Sequence, residues 1–279
     1  MIKLIIFIIS MCMCVNVTAA DAPEENKPPR DLNRIIDSGK VTVAVVDMDI
    51  PPFIMKSRDG QLEGLDIDIA RDIAGKMKVD LEIIRVDYFD DVIELVAAGN
   101  ADIGVSNLSM TCDRARYVRF TDPYRVLGIT LLLNRVKLAS MRFPDGLIKP
   151  EQLKNTDGAV GVLERSAYES AAREYLHNAV FRTYMEYSAM LRDSENGDLF
   201  MSVGNSGTVD YYLKKEPRLL VKLQPYNIEN FKDHIAMAVG LENDHLLSWL
   251  NVYLTVRRDE NRQQKNKPVQ TKNHQAESY

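Results

Sequence analysis

The chain has 279 residues, room for one large or two modest domains, and its 46% hydrophobic and 27% charged residues are the balance of an ordinary soluble globular protein. A formal net charge of -5 argues against nucleic acid as a partner, since nucleic-acid binders carry a basic patch, and against an anionic membrane surface. Past the N-terminus, no apolar segment is long enough to cross a bilayer.

The first 20 residues read as a secretory signal. Lys3 supplies the positive start, Leu4 to Val17 is apolar except for Ser10 and Asn16, and Val17-Thr18-Ala19-Ala20 offers small residues for cleavage. The run is short of the roughly 20 residues a spanning helix needs. Ile9-Ser10-Met11-Cys12 is similar to a lipobox, but Met11 stands where Gly, Ala or Ser is wanted, so a free periplasmic protein is expected over a lipid-anchored one. Cleavage leaves Cys112 as the one cysteine, which excludes an internal disulfide in a compartment that would permit one. Residues 21–30, polar and Pro-rich, are expected to form a flexible leader.

Strand and helix signals then alternate. Val41 to Val46 is a β-branched run typical of a buried strand. Leu65 to Met77 repeats apolar residues every four positions (Leu65, Ile69, Ile73, Met77), one face of a helix. Leu81 to Val86 predicts a strand, Val92 to Ala98 a helix stopped by Gly99-Asn100, and Ala101 to Val105 a third strand. Such an order implies a parallel sheet covered by helices. A second cycle follows: strands at Gly158 to Leu163, Phe181 to Tyr184 and Leu199 to Val203, with helices at Ala167 to Tyr175 and Ser188 to Ser194. Ile129 to Leu133 and Ile235 to Val239 are apolar runs flanking this unit, where the chain could enter and leave it. From Arg257 the chain is almost wholly polar, and residues 259–279 are expected to be a disordered tail, because they bury too little surface to offset ordering entropy.

Catalytic constellations are absent from the sequence. His177, His234, His245 and His274 have no metal-type spacing, and no nucleophile elbow, phosphate loop or H-E-x-x-H motif occurs, so no enzyme activity, metal or cofactor is expected. Cys112 lies near Arg114, which would lower its pKa, but no His is placed to act as its base, and it reads as a bystander.

Five motifs in order carry a resemblance. Pro51-Pro52-Phe53, Glu63-Gly64-Leu65-Asp66-Ile67-Asp68-Ile69-Ala70, Ala98-Gly99-Asn100-Ala101-Asp102-Ile103, Ser109-Met110-Thr111-Cys112-Asp113-Arg114 and Phe120-Thr121-Asp122-Pro123-Tyr124 together resemble the family 3 extracellular solute-binding proteins, with the closest match over residues 31–126. The resemblance implies the type II periplasmic-binding fold: α/β, two lobes with mixed sheets flanked by helices and a ligand cleft between them. Lobe 1 would comprise residues 31–126 and 234–258, and lobe 2 residues 127–233.

The resemblance also assigns the site. Arg114 would hold the ligand's carboxylate, a role suited to a rigid guanidinium fork, with Ser109 and Asn107 supplying donors from a loop that leads into a helix. Tyr88 falls where an aromatic platform is common, although core packing suits it equally. Asp47 is either a ligand contact or a solvated turn carboxylate. Ile50 stands where relatives carry a second aromatic. In lobe 2, Ser166 would cap a helix and face the ligand, and Arg165 either recognises a second anionic group or points to solvent. The Asp that usually pairs with a ligand's α-ammonium is missing; Ser202 and Asn205 are the nearest residues, both neutral. A buried ammonium needs a counter-charge, so Asp47 or Glu164 supplies it or the ligand lacks the group.

The expected function is capture of a small carboxylate-bearing ligand, an amino acid or analogue, by a monomer that closes its lobes about hinges near Tyr124 to Ile129 and Phe231 to Ile235 and delivers the ligand to an ABC permease. Two alternatives remain open at this point: a ligand sensor docking on a membrane receptor, and an enzyme on the same fold resembling cyclohexadienyl dehydratases, with Glu164 as general acid.

Overall fold

The computed structural model describes residues 31–140, 150–229 and 231–266. The expected signal and leader, and residues 267–279 of the expected tail, lie outside them.

The first half opens with α1 (Leu32–Ser38) and β1 (Lys40–Val46), then a hairpin of β2 (Met55–Lys56) and β3 (Leu62–Glu63). It continues through α2 (Leu65–Met77), β4 (Asp80–Val86), α3 (Phe89–Ala97), β5 (Ile103–Gly104), a single 3-10 turn at Arg114–Arg116, β6 (Arg119–Phe120) and β7 (Arg125–Leu127). The second half runs through β8 (Ile129–Asn134), α4 (Arg135–Ser140), α5 (Pro150–Lys154), β9 (Ala159–Leu163), α6 (Ala167–Tyr175), β10 (Val180–Tyr184), α7 (Tyr187–Asn196), β11 (Met201–Asn205), α8 (Ser206–Lys215), α9 (Leu219–Lys222) and β12 (Leu223–Asn227). The chain returns to the first half through β13 (Asp233–Ile235), β14 (Ala238–Val239) and α10 (Asp244–Asn266).

These elements build an α/β protein with two mixed five-stranded sheets, ordered β4-β1-β5-β14-β6 and β10-β9-β11-β8-β12. The strand-helix-strand cycles do give parallel neighbours: β1 pairs in parallel with β4 and β5, and β9 with β10 and β11. Each sheet as a whole is mixed, as the resemblance implied, because β14 and β8 run against their neighbours and need no crossover helix. The segments between the sheets, β7 and β13, pair antiparallel as a two-stranded ribbon with Asp233 opposite Leu127.

Side-chain chemistry sets these elements. All of Val41 to Val46 is buried, and β1 lies inside its sheet. Ile69, Ile73 and Met77 bury the face of α2 read from the sequence, and Lys78 in the left-handed region ends that helix. Asp102 accepts the backbone N–H of Thr42 at 2.7 Å, and the Ser106 hydroxyl accepts that of Val46 at 2.7 Å, so the loops around β5 fasten both ends of β1.

One boundary is corrected. Helix α10 runs on to Asn266, through residues expected to lack order. Its polar extension is held to α2 by charge: Arg257 pairs with Asp72 at 2.8 Å, Glu260 with Lys76 at 3.1 Å, and the Tyr253 hydroxyl donates to Asp72 at 2.8 Å. Composition alone does not show that a polar helix has partners waiting on another element.

Candidate functional site

A recess between the two sheets collects side chains from both halves of the chain. The first half contributes Ile50, Phe89, Asn107, Ser109 and Arg114; the second contributes Leu163, Ser166, Ala167, Tyr168, Tyr187 and the end of β11 at Val203, Gly204 and Asn205. Gly204 matters for its size, because a Cβ there would come within 2.7 Å of the Tyr187 hydroxyl oxygen.

The loop after β5 carries the charged part of the site. Asp66, at the start of α2 and wholly buried, accepts the Asn107 N–H at 2.5 Å and the Tyr124 hydroxyl at 3.0 Å. That grip holds Asn107 at a φ of 46°, a conformation in which Asn is one of the more tolerant residues. Burial pushes the Asp66 carboxyl up to about 7, against the pull of these two donors. Beyond this turn, Arg114 is buried at 8% exposure and faces the recess. Its Nη1 donates to the Ser109 carbonyl at 3.2 Å, while Nε and Nη2 donate to one oxygen of Asp90 at 3.3 and 3.1 Å. The guanidinium is therefore fixed before any ligand arrives, with Asp90 on one edge.

Across the recess, α6 begins with Ser166, whose hydroxyl accepts the Glu169 N–H at 3.1 Å and donates to the Leu163 carbonyl at 2.7 Å. Asn205 caps α8 in the same manner, its Oδ1 accepting from the Thr208 N–H at 2.8 Å. Two helix N-termini and one arginine thus border one recess, an arrangement that favours an anion.

Of the residues expected at the site, Asn107, Ser109, Arg114, Ser166 and Asn205 line the recess together, and Asp47, Tyr88 and Arg165 do not. Asp47 is paired with Arg85 and, at 3.2 Å, with Lys56. Glu164 is also absent from the lining. Of the neighbouring rings Tyr88 and Phe89, it is Phe89 that lines the recess, because α3 begins a turn earlier than the apolar periodicity indicated. Three expected roles change. The hydroxyl proton of Ser109 is directed to Asp233 at 2.9 Å and the Asn107 N–H to Asp66, so neither is a free donor. Arg114 opens a three-residue 3-10 turn and not a helix, so the helical N–H groups at the site come from the second half.

Arg165 instead bridges the halves. It stacks over the Tyr88 ring at 4.3 Å and pairs with Asp91 at 3.2 Å. A cation over an aromatic ring together with a part-exposed ion pair contributes about 1 kcal/mol. Arg165→Ala is expected to lower folding stability by about 1 kcal/mol in urea denaturation. An unchanged transition midpoint would show that the contact contributes no stability.

Asp233, Tyr168 and Tyr187 were not singled out by sequence. Asp233 is buried on β13 and accepts hydrogen bonds from Ser109 and Tyr168, one from each half. Burial raises its carboxyl pKa, while the two hydroxyls and the nearby Arg114 draw it back. Only the return of the chain through β13 brings this acid to the site, so no local pattern could announce it.

The model for bacterial extracellular solute-binding proteins, family 3, matches residues 42–267. The arginine-binding periplasmic protein of Mannheimia haemolytica is 23% identical over 228 residues, covering 80% of this chain and 88% of that protein. Membrane-bound lytic murein transglycosylase F of Maricaulis maris is 24% identical over 217 residues; the match takes in 76% of this chain, which spans only 45% of the transglycosylase. Among solved structures, an ancestral amino acid-binding protein, described as a precursor of cyclohexadienyl dehydratase, matches with a TM-score of 0.71 at 26% identity, covering 84% of this chain and 96% of the other.

Proposed function

Because this chain belongs to the bacterial extracellular solute-binding proteins of family 3, we propose that it captures a small carboxylate-bearing molecule, an amino acid or close analogue, for ABC-type uptake. The observation that carries this reading is Arg114, buried and immobilised on the wall of a recess between two α/β halves, opposite the N-terminus of α6. A fixed cation loses little entropy on meeting a carboxylate, and the facing N–H groups add partial positive charge at no cost in reorganisation.

The halves act as lobes. A ligand would settle first on Arg114 and the Asn107–Ser109 loop, and the lobe bearing Ser166 and Asn205 would close over it, with the backbone turning near the β7–β13 ribbon. The closed surface would then be presented to a membrane permease, and the protein would work in the periplasm. No helix among the described residues is long and apolar enough to cross a membrane. Glu164, the candidate general acid of the dehydratase-like alternative, does not line the recess.

A thermal-shift screen of the chain lacking its first 20 residues tests the reading. At about 100 times its dissociation constant, a true ligand adds about 2.7 kcal/mol of stability. At least one amino acid or 2-substituted carboxylic acid is expected to do so, and a complete panel without a shift would remove the proposed ligand class.

A further inference from the structure

The recess has a cation but no obvious anion to match it. Asp90 is committed to Arg114, Asp47 to Arg85 and Lys56, and neither Asp47 nor Glu164 lines the wall. Ser202 and Asn205, the residues nearest the Asp that relatives carry, are both neutral, and Asn205 Oδ1 already accepts the Thr208 N–H. The end of β11 therefore supplies no charge to pair with an ammonium group.

The geometry of β13 provides another means. Ser109 and Tyr168 both line the recess, one from each half, and their hydroxyls are hydrogen-bonded to the same carboxylate oxygen of Asp233. An ionised carboxylate only accepts, so each hydroxyl spends its single proton on Asp233 and keeps its lone pairs as acceptors for a ligand. Two oxygens polarised by one buried negative charge form an acceptor pair suited to a primary ammonium. We propose that Asp233 is the specificity-determining acid of this site, acting as a positioning residue through Ser109 and Tyr168 to select ligands that carry an ammonium beside the carboxylate. This rests on the reading of Arg114 as the carboxylate anchor, and it moves the counter-charge from the end of β11 to the strand that closes the chain's return.

The test compares pairs of ligands that differ only at the ammonium. L-Arginine, L-lysine, L-glutamine, L-histidine and L-phenylalanine are each titrated against the acid bearing a 2-hydroxyl in its place, with wild type and Asp233→Asn. The wild type is expected to prefer the amino acid of the tightest pair by at least about thirtyfold, and Asp233→Asn to bring the two within about threefold. A purely structural role for Asp233 would weaken both members alike and leave the ratio unchanged, which would overturn the proposal while leaving the Arg114 reading intact. A wild type that prefers the hydroxy acids would do the same. Failure of every pair to bind would bring down both. Should Asp233→Asn not fold, Tyr168→Phe removes one relaying hydroxyl and keeps the carboxylate. A roughly tenfold loss of preference is expected there, and an undiminished ratio would overturn the proposal.

Discussion

Arg114→Lys is expected to weaken ligand binding at least about a hundredfold, although the formal charge of the recess is unchanged. The guanidinium holds the Ser109 carbonyl through Nη1 and Asp90 through Nε and Nη2, and it lines the recess with one N–H of Nη1 and one of Nη2 outside these bonds. A lysine ammonium is a point charge on a flexible stem. It cannot keep Asp90 and the loop carbonyl in place while also meeting a carboxylate through two parallel bonds. Loss of a buried, hydrogen-bonded charge contact costs about 2–5 kcal/mol, and every 1.4 kcal/mol is a factor of ten in affinity. Calorimetric titration with the strongest ligand of the thermal screen checks this. Affinity within threefold of wild type would mean that the carboxylate is held elsewhere.

Asp66→Ala is expected to cost about 3 kcal/mol of folding stability and to abolish binding with it, despite lying outside the recess lining. The substitution strips the partner from the buried Asn107 N–H and from the Tyr124 hydroxyl together, each worth about 1–3 kcal/mol when left unsatisfied. It also releases Asn107 from its positive φ, and with it the loop that carries Ser109 and Arg114. The effect depends on pH. The folded carboxyl titrates near 7, above its ordinary 3.8, so its contribution is full below about 4 and is lost as pH rises through about 7. Urea denaturation of wild type and variant is therefore expected to show a larger difference at pH 5 than at pH 8. An equal difference at both would place the Asp66 titration outside that window.

Those two residues also mark how much was legible in the sequence. Helix α2 was read to its last residue because its period and its signals are local, and α6 likewise. The motif residues Asp66, Asp102 and Thr121 could be recognised, but their work is structural: Asp66 and Asp102 pin backbone N–H groups, and Thr121 accepts from Met237 N–H at 3.2 Å. Strands of two or three residues such as β6, β13 and β14 are too short to show a period, and they form because partners across the fold supply their hydrogen bonds. The site divides in the same way. Arg114 and Ser109 share one loop and one motif, so sequence found them. Asp90, Asp233 and Tyr168 reach the site from three separate elements, and only the folded backbone puts them beside it. Tyr88 and Phe89 show the narrowest margin, since one residue of helix register decides which ring faces inward.

The central claim is that a ligand carboxylate meets the Arg114 guanidinium between the two halves. A crystal structure with the strongest ligand from the thermal screen tests it most directly. The account predicts carboxylate oxygens within about 3 Å of the Arg114 nitrogens, with the N-terminus of α6 closing from the opposite side. A ligand seated away from Arg114, with that guanidinium still touching only Asp90 and Ser109, would contradict it.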